Sequence, residues 1–298
     1  MKLMPLVLAA AVGFVGMASA QAASRMDKIK STGVVTLGYR DASIPFSYLD
    51  DHQKPIGYSM DICHGIVDAL SKDLKRPLTI KLVPVTSSTR IPLVANGTVD
   101  LACGSATNNA ERQKQVSFAP TTFVTATRFA ALKSSHVNKL SDFKGKTVVS
   151  VSGTSNLRWL VQANSDQKLG MRIITAKDHP EAFLTVQSGR AAAFFMDDIL
   201  LAGLVATSHQ PSDWMISKDG YTIEPYGMIE PKNDPEFKTA VDNAVKAMMK
   251  DGTVATLYAK WFTKPVPPKN VNLNWAMTPE VKKVIAHPTD SPDPAVYK

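Results

Sequence analysis

Two series of short apolar runs, each alternating with stretches of helical period, constrain this chain more than any other feature. In the first, Val34–Tyr39, Leu78–Val85 and Val99–Cys103 read as strands. Between them Ile62, Ile66, Ala69, Leu70 and Leu74 recur at helical spacing, and Thr86–Arg90 caps a helix over Ile91–Ala95 that stops at Asn96-Gly97. The order β-α-β-α-β requires a parallel sheet with crossover helices. The second series places strands at Thr147–Val151, Met171–Thr175 and Ala191–Met196, with helices at Asn156–Ala163, Pro180–Ser188 and Ile199–Ala206. Between the series, Phe118–Leu132 is rich in Thr, Val and Phe and has no helical period, as expected of a strand crossing from one domain to another. Glu224–Ile229 is extended again, before helices at Pro235–Lys250 and Val254–Phe262 and a Pro-rich stretch from Lys264 that reads as a wrapped or partly ordered tail. The pattern predicts an α/β protein of two lobes. A solute would sit in the cleft at the C-terminal ends of the strands, where hinge closure can enclose it.

The first twenty residues read as a secretory signal: Lys2 gives a positive start, Leu6 to Met17 a short apolar core, and Ala18-Ser19-Ala20 a cleavage site, with Ala22 as a second possible one. The apolar core is too short to span a bilayer comfortably. The formal charge of +8 raises nucleic acid or anionic membrane as partners. Lys and Arg are scattered, however, and export argues against nucleic acid, so a diffuse attraction for small anions fits better. Cys63 and Cys103 are an even pair in an oxidising compartment, and either a disulfide or two buried thiols satisfies the sequence. Two cysteines and scattered histidines give no metal spacing, and no cofactor is expected.

The stretch from Asp100 to Arg112 concentrates the chemistry. It opens as a strand end, passes through Gly104, Ser105, Thr107, Asn108 and Asn109, and ends in a polar run that reads as the start of a helix. A strand end, hydroxyls on a turn and a helix start can present backbone N–H groups to an anion. A helical turn would also fold the Arg112 guanidinium back over the hydroxyls. An N-capped helix with a surface arginine is the plainer reading.

The runs RIPLVANGTVDLACGSATNNAERQKQVSFAPTTF, DFKGKTVVSVSGTS, AKDHPEAFLTVQSGRAAAFFMDD and YAKWF together resemble the periplasmic solute-binding proteins of polar amino-acid ABC transporters. GYRDASIPFSYLD, VTSSTRIPL and AKDHPEAF are most similar to the glutamate- and aspartate-binding branch. The resemblance implies a type II periplasmic-binding fold with hinge strands near Thr122–Ala126 and Thr222–Tyr226. Its first lobe would be residues 21–124 and 225–298, and its second 125–224. It implies a monomer that delivers its ligand to an inner-membrane ABC permease. It also implies residue roles. Arg112, Thr107 and Thr154 would hold the ligand α-carboxylate, and Asp197 with Ser105 the α-ammonium. Arg40 and Arg90, with Ser87 and His179 beside them, would hold the distal carboxylate. Asp198 is expected to be structural and His64 to face outward from its helix, while Phe46 and Tyr48 either wall the ligand's methylenes or pack in the core. Close relatives often have threonine where this chain has Ala106 and Ser155.

The residue types suit that ligand. A zwitterionic dicarboxylate has two anions and one cation, and the implied site offers three arginines, one aspartate and a titratable histidine. Planar guanidinium groups meet carboxylates with two parallel hydrogen bonds, which lysine cannot do. Two other functions share the fold: a dehydratase acting on arogenate- or prephenate-like compounds, which needs a poised general acid, and a receptor for another acidic or polar solute. A solute without an ammonium group would leave Asp197 unexplained.

Overall fold

The computed structural model describes residues 24–298; the expected signal peptide and its cleavage site lie outside them. The chain opens with α1 (Arg25–Thr32), capped by the Ser24 hydroxyl and stopped by Gly33 in the left-handed region. Strand β1 (Val34–Tyr39) follows, then a three-stranded antiparallel flap of β2 (Ala42–Ser43), β3 (Ser47–Leu49) and β4 (Pro55–Ile56). Next come α2 (Tyr58–Asp73), β5 (Thr79–Pro84), α3 (Arg90–Ala95) and β6 (Leu101–Ala102). The long extended run resolves into β7 (Val116–Phe118), β8 (Phe123–Thr125) and β9 (Thr127–Leu132). The second series is β10 (Thr147–Val151), α4 (Ser155–Asp166), β11 (Arg172–Ala176), α5 (His179–Gln187), β12 (Phe194–Asp197), α6 (Asp198–Thr207) and β13 (Trp214–Ile216). The chain returns through β14 (Glu224–Tyr226) and β15 (Ile229–Pro231) to α7 (Pro235–Lys250) and α8 (Thr253–Phe262), and ends in the short pair β16 (Pro265–Val266) and β17 (Val271–Asn272) with α9 (Pro279–Ala286).

Two five-stranded sheets result, ordered β5-β1-β6-β15-β7 and β11-β10-β12-β9-β13. In each, the three strands of the β/α series run parallel and the returning strands join antiparallel. The sheets are linked by β8 and β14, which pair antiparallel with Glu224 opposite Thr125 and Tyr226 opposite Phe123. These are the crossings expected near 122–126 and 222–226. An aromatic cluster braces this pair: Phe46 meets Tyr58, Phe123, Tyr226 and Phe262 edge-on, and Phe123 stacks on Phe262. Phe46 and Tyr48 are both core residues, and the Tyr48 hydroxyl donates to the Pro267 carbonyl.

One expectation changes and two open alternatives are resolved. The polar run through Arg112 is not an α-helix but a single 3₁₀ turn, Arg112–Lys114, because the Asn109 side chain accepts from Arg112 N and closes the turn locally. The tail is ordered: α9 buries Val281 and Val284, Tyr297 is fully buried, and the Thr289 carbonyl accepts from Thr121 N. Cys63 on α2 and Cys103 past the end of β6 form a disulfide, with Cα atoms 6.3 Å apart. That bond ties the helix to the root of the Gly104–Arg112 loop.

Candidate ligand-binding site

The Gly104–Arg112 loop leaves β6 at the C-terminal end of the first sheet and lies against the linking strands. Asn108 N donates to the Pro225 carbonyl and Gly227 N to the Ala106 carbonyl, so the loop is tied directly to β14. Ser105, Thr107 and Arg112 are all buried. The Arg112 guanidinium folds back as expected, but onto the Thr107 carbonyl (2.8 Å), and its other end reaches the Gly153 carbonyl of the second lobe (3.1 Å). From behind, the ordered tail fixes the same loop: the Asp290 carbonyl accepts from both Asn108 Nδ2 (2.7 Å) and Gln113 Nε2 (2.9 Å).

Arg40 follows β1 and Arg90 opens α3; both side chains converge on this loop and are nearly inaccessible to solvent. Arg90 Nη1 donates to the Ser105 carbonyl (2.7 Å), and Arg40 packs its stem against Gly104. Arg40 Nη1 and Arg90 Nε are buried without a hydrogen-bond partner among the described residues. Neither side chain, nor that of Arg112, forms an ion pair among the described residues. Burial pushes the Arg40 pKa down to about 10, against the weak pull of Asp178 and Asp41. Burial, and then the cations Arg112 and Arg40, hold Arg90 well below the ordinary arginine value. An arginine keeps its proton in proteins, so this strain is a demand for an anion rather than deprotonation.

The second lobe supplies the opposite wall. Gly153, with φ +78°, lets the turn after β10 lie directly on the Ser87–Ser88 backbone; a Cβ there would come within 2.8 Å of the Ser87 carbonyl carbon. Thr154 is the N-cap of α4: its hydroxyl donates to the Val151 carbonyl (2.7 Å) and accepts from Leu157 N (3.1 Å). That hydroxyl proton is therefore committed within the second lobe. Asp197 ends β12, is buried, and accepts from Asn156 Nδ2 (2.6 Å) and from the Tyr226 hydroxyl. Burial first, then neighbouring Glu224, raises its pKa to about 8. His179, the first residue of α5, crosses to the flap of the first lobe, where Nδ1 lies 3.3 Å from the Ala42 carbonyl and 3.5 Å from Ser43 Oγ. Burial, followed by Arg40, holds His179 well below the usual histidine value. Asp198 accepts from Arg128 Nε (3.1 Å) and from the Thr125 hydroxyl, a structural pairing beside the linking strands. His64 is partly exposed on α2.

All nine expected residues are thus buried around one inter-lobe junction, and a cavity of about 540 Å³ lined by Arg40, Asp41, Ser88 and Asp178 opens beside it. Four further residues belong to the junction: Asn156, Glu224 and Tyr226, to which the sequence assigned no site role, and Ser155, marked there only as a difference from relatives. Asn156 and Tyr226 hold Asp197; Ser155 bonds to Glu224 (2.7 Å). The motif EPYG carried a signal, a buried acid and a tyrosine in an extended crossing strand, but nothing local says which side chain each would meet.

Two α/β lobes joined by paired strands, with cations and a carboxylate buried where they meet, define a receptor that closes on a small charged solute. The chain belongs to the bacterial extracellular solute-binding proteins, family 3, which it matches over residues 35–264. It is 50% identical over 267 residues to the L-glutamate/L-aspartate-binding protein of Pseudomonas aeruginosa, covering 89% of this chain and 88% of that one. It is 43% identical over 289 residues to the glutamate/aspartate import solute-binding protein of Escherichia coli, covering 97% and 96%. Among solved structures, a mutant of ArgBP from T. maritima superposes with a TM-score of 0.71 at 25% identity, covering 79% of this chain and 98% of that one. The fold is the type II periplasmic-binding fold, and the chain is a binding protein rather than an enzyme.

Proposed function

We propose that this chain is a periplasmic receptor that captures L-glutamate and L-aspartate by hinge closure and delivers them to an inner-membrane ABC permease, acting as a monomer. Its lobes divide as residues 21–124 with 225–298, and 125–224, between which β8 and β14 act as the hinge. The observation that carries the reading is the set of three buried guanidiniums at one junction, two of them with N–H groups that find no acceptor among the described residues. A buried cation without a partner is costly, and a dicarboxylate supplies two anions. Arg112 holds the α-carboxylate, assisted by Thr107 and Thr154. Because the Thr154 hydroxyl is spent on its cap, its help comes through the α4 N-terminus, whose free N–H groups and positive end favour an anion. Asp197, with Ser105, accepts the α-ammonium, and this contact favours the ionised form of Asp197. Arg40 and Arg90, with Ser87 and His179, form the distal pocket. The names of the two relatives support the same ligands.

A dehydratase would need Asp197 or a neighbour free as a general acid, whereas Asp197 is held on both oxygens by Asn156 and Tyr226. The deciding experiment is a thermal-shift screen of acidic and neutral amino acids, since a ligand that binds only the folded state raises its stability. Glutamate and aspartate should raise Tm, with glutamine and asparagine weaker by about two to three orders of magnitude in affinity. Equal stabilisation by glutamine and glutamate would refute the assignment of the distal pocket.

A further inference from the structure

One chain of hydrogen bonds spans both lobes and the linking strands. Ser155, the first residue of α4, places its hydroxyl 2.7 Å from Glu224 Oε2 on β14 and 3.1 Å from the Thr107 hydroxyl on the binding loop. The other oxygen of Glu224 accepts from Thr222 Oγ1 (2.6 Å), with Thr127 Oγ1 further off at 3.4 Å. Glu224 is only 3% exposed. A carboxylate only accepts, and a hydroxyl has one proton. Ser155 gives its proton to Glu224, so the Thr107–Ser155 bond must run with Thr107 as donor. The direction of the whole chain, Thr107 to Ser155 to Glu224, is thus set by the acid at its end.

We propose that Glu224 is a positioning residue for closure: through Ser155 it draws Thr107 across the cleft and latches the lobes over the bound amino acid. This rests on the receptor reading above and deepens it. It assigns a role to Ser155, which threonine, another single-proton hydroxyl, could also fill. It also divides the labour of the binding loop. The Thr107 proton is spent on the latch, and its part in holding the α-carboxylate is to bring Arg112 and the α4 N-terminus together. The latch contacts the generic end of the site and is separate from the arginines proposed for the distal carboxylate. It therefore acts on every closing ligand alike.

The test uses the full mature chain with Ser155→Ala, Ser155→Thr and Glu224→Gln, each checked by thermal melting without ligand. Calorimetry gives affinity for glutamate, aspartate and glutamine, and stopped-flow fluorescence gives the dissociation rate. Ser155→Ala should weaken glutamate and aspartate by the same factor, about two- to tenfold, the size of the one neutral hydrogen bond lost across the cleft. The loss should appear as faster dissociation, with the glutamate-to-glutamine ratio unchanged. Ser155→Thr should bind like the parent, and Glu224→Gln combined with Ser155→Ala should cost little more than Ser155→Ala alone. Should Ser155→Ala bind and release glutamate like the parent, or lose selectivity instead of residence time, the latch is overturned. A parent that binds neither glutamate nor aspartate overturns the receptor reading itself.

Discussion

Replacing Arg90 with methionine is the sharpest probe of the distal pocket. Arg90 is 3% exposed, gives one N–H to the Ser105 carbonyl, and holds Nε without an acceptor among the described residues, beside two other cations. With glutamate bound, that edge meets a carboxylate; with glutamine, part of it faces an NH₂ group and the charge stays unpaired. Stranding a buried charge costs about 3–5 kcal/mol, and 1.4 kcal/mol is about one decade of affinity. The parent should therefore prefer glutamate by about two to three orders of magnitude. Methionine keeps much of the volume and removes the charge, leaving Arg40 as the remaining distal guanidinium. Glutamate should weaken about ten- to hundredfold, the worth of a hydrogen bond to a charged group, while glutamine changes less than about threefold. The preference should fall to roughly ten- to thirtyfold. Calorimetry with both ligands on both proteins closes the cycle. Equal losses for glutamate and glutamine would show that Arg90 only braces the Ser105 turn, and the charge argument would fail.

Three other outcomes follow from the same geometry. Removing the disulfide with Cys63→Ala and Cys103→Ala frees a loop of sequence separation 40 and should cost about 4 kcal/mol on loop entropy, read by urea unfolding. His179 is held below its unfolded pKa, so its burial contributes stability that is fully present above about pH 6.5 and is lost as pH falls through the lower folded value. The stability difference between the parent and His179→Gln should accordingly shrink from pH 7 to pH 5 and stay constant above 7; a difference flat across the whole range refutes the buried neutral ring. Tyr297→Ala removes a fully buried ring and its bonds to Thr121 and the Ser291 carbonyl, and should lower stability by about 3 kcal/mol in chemical denaturation.

Much of this architecture was legible because hydrophobic period survives in the sequence. The helix over Tyr58–Asp73 and the parallel strands of both series lie where the apolar spacing put them. The clearest departure, the helix expected through Arg112, came from treating a polar run as helical when Asn109 closes a turn by itself. Arg112 was singled out by its spacing from Thr107, and Arg40, Arg90 and Asp197 by resemblance; their burial without local ion pairs could not be read from composition. Tyr226 and Glu224 escaped notice for a topological reason. Their partners Asp197 and Ser155 lie 29 and 69 residues away, and only the return of the chain through β14 brings them together. The disulfide was undetermined for the same reason: strand and helix assignments give no distance between Cys63 and Cys103.

The way the two ends of the described chain are anchored decides how a reporter of this protein should be built. Ser24 and the Arg25 amide both bond to Asp234 at the start of α7, and the tail's α9 packs against that same helix. Fluorophores joined near these two ends would both sit beside α7, so hinge motion of the lobes should change their separation little. At the C-terminus, a fusion would also pull on buried Tyr297. A responsive optical sensor needs one label spliced into the other half of the molecule, beside an open turn such as that at Gly170 or Gly189, with the glycine and its positive φ kept in place.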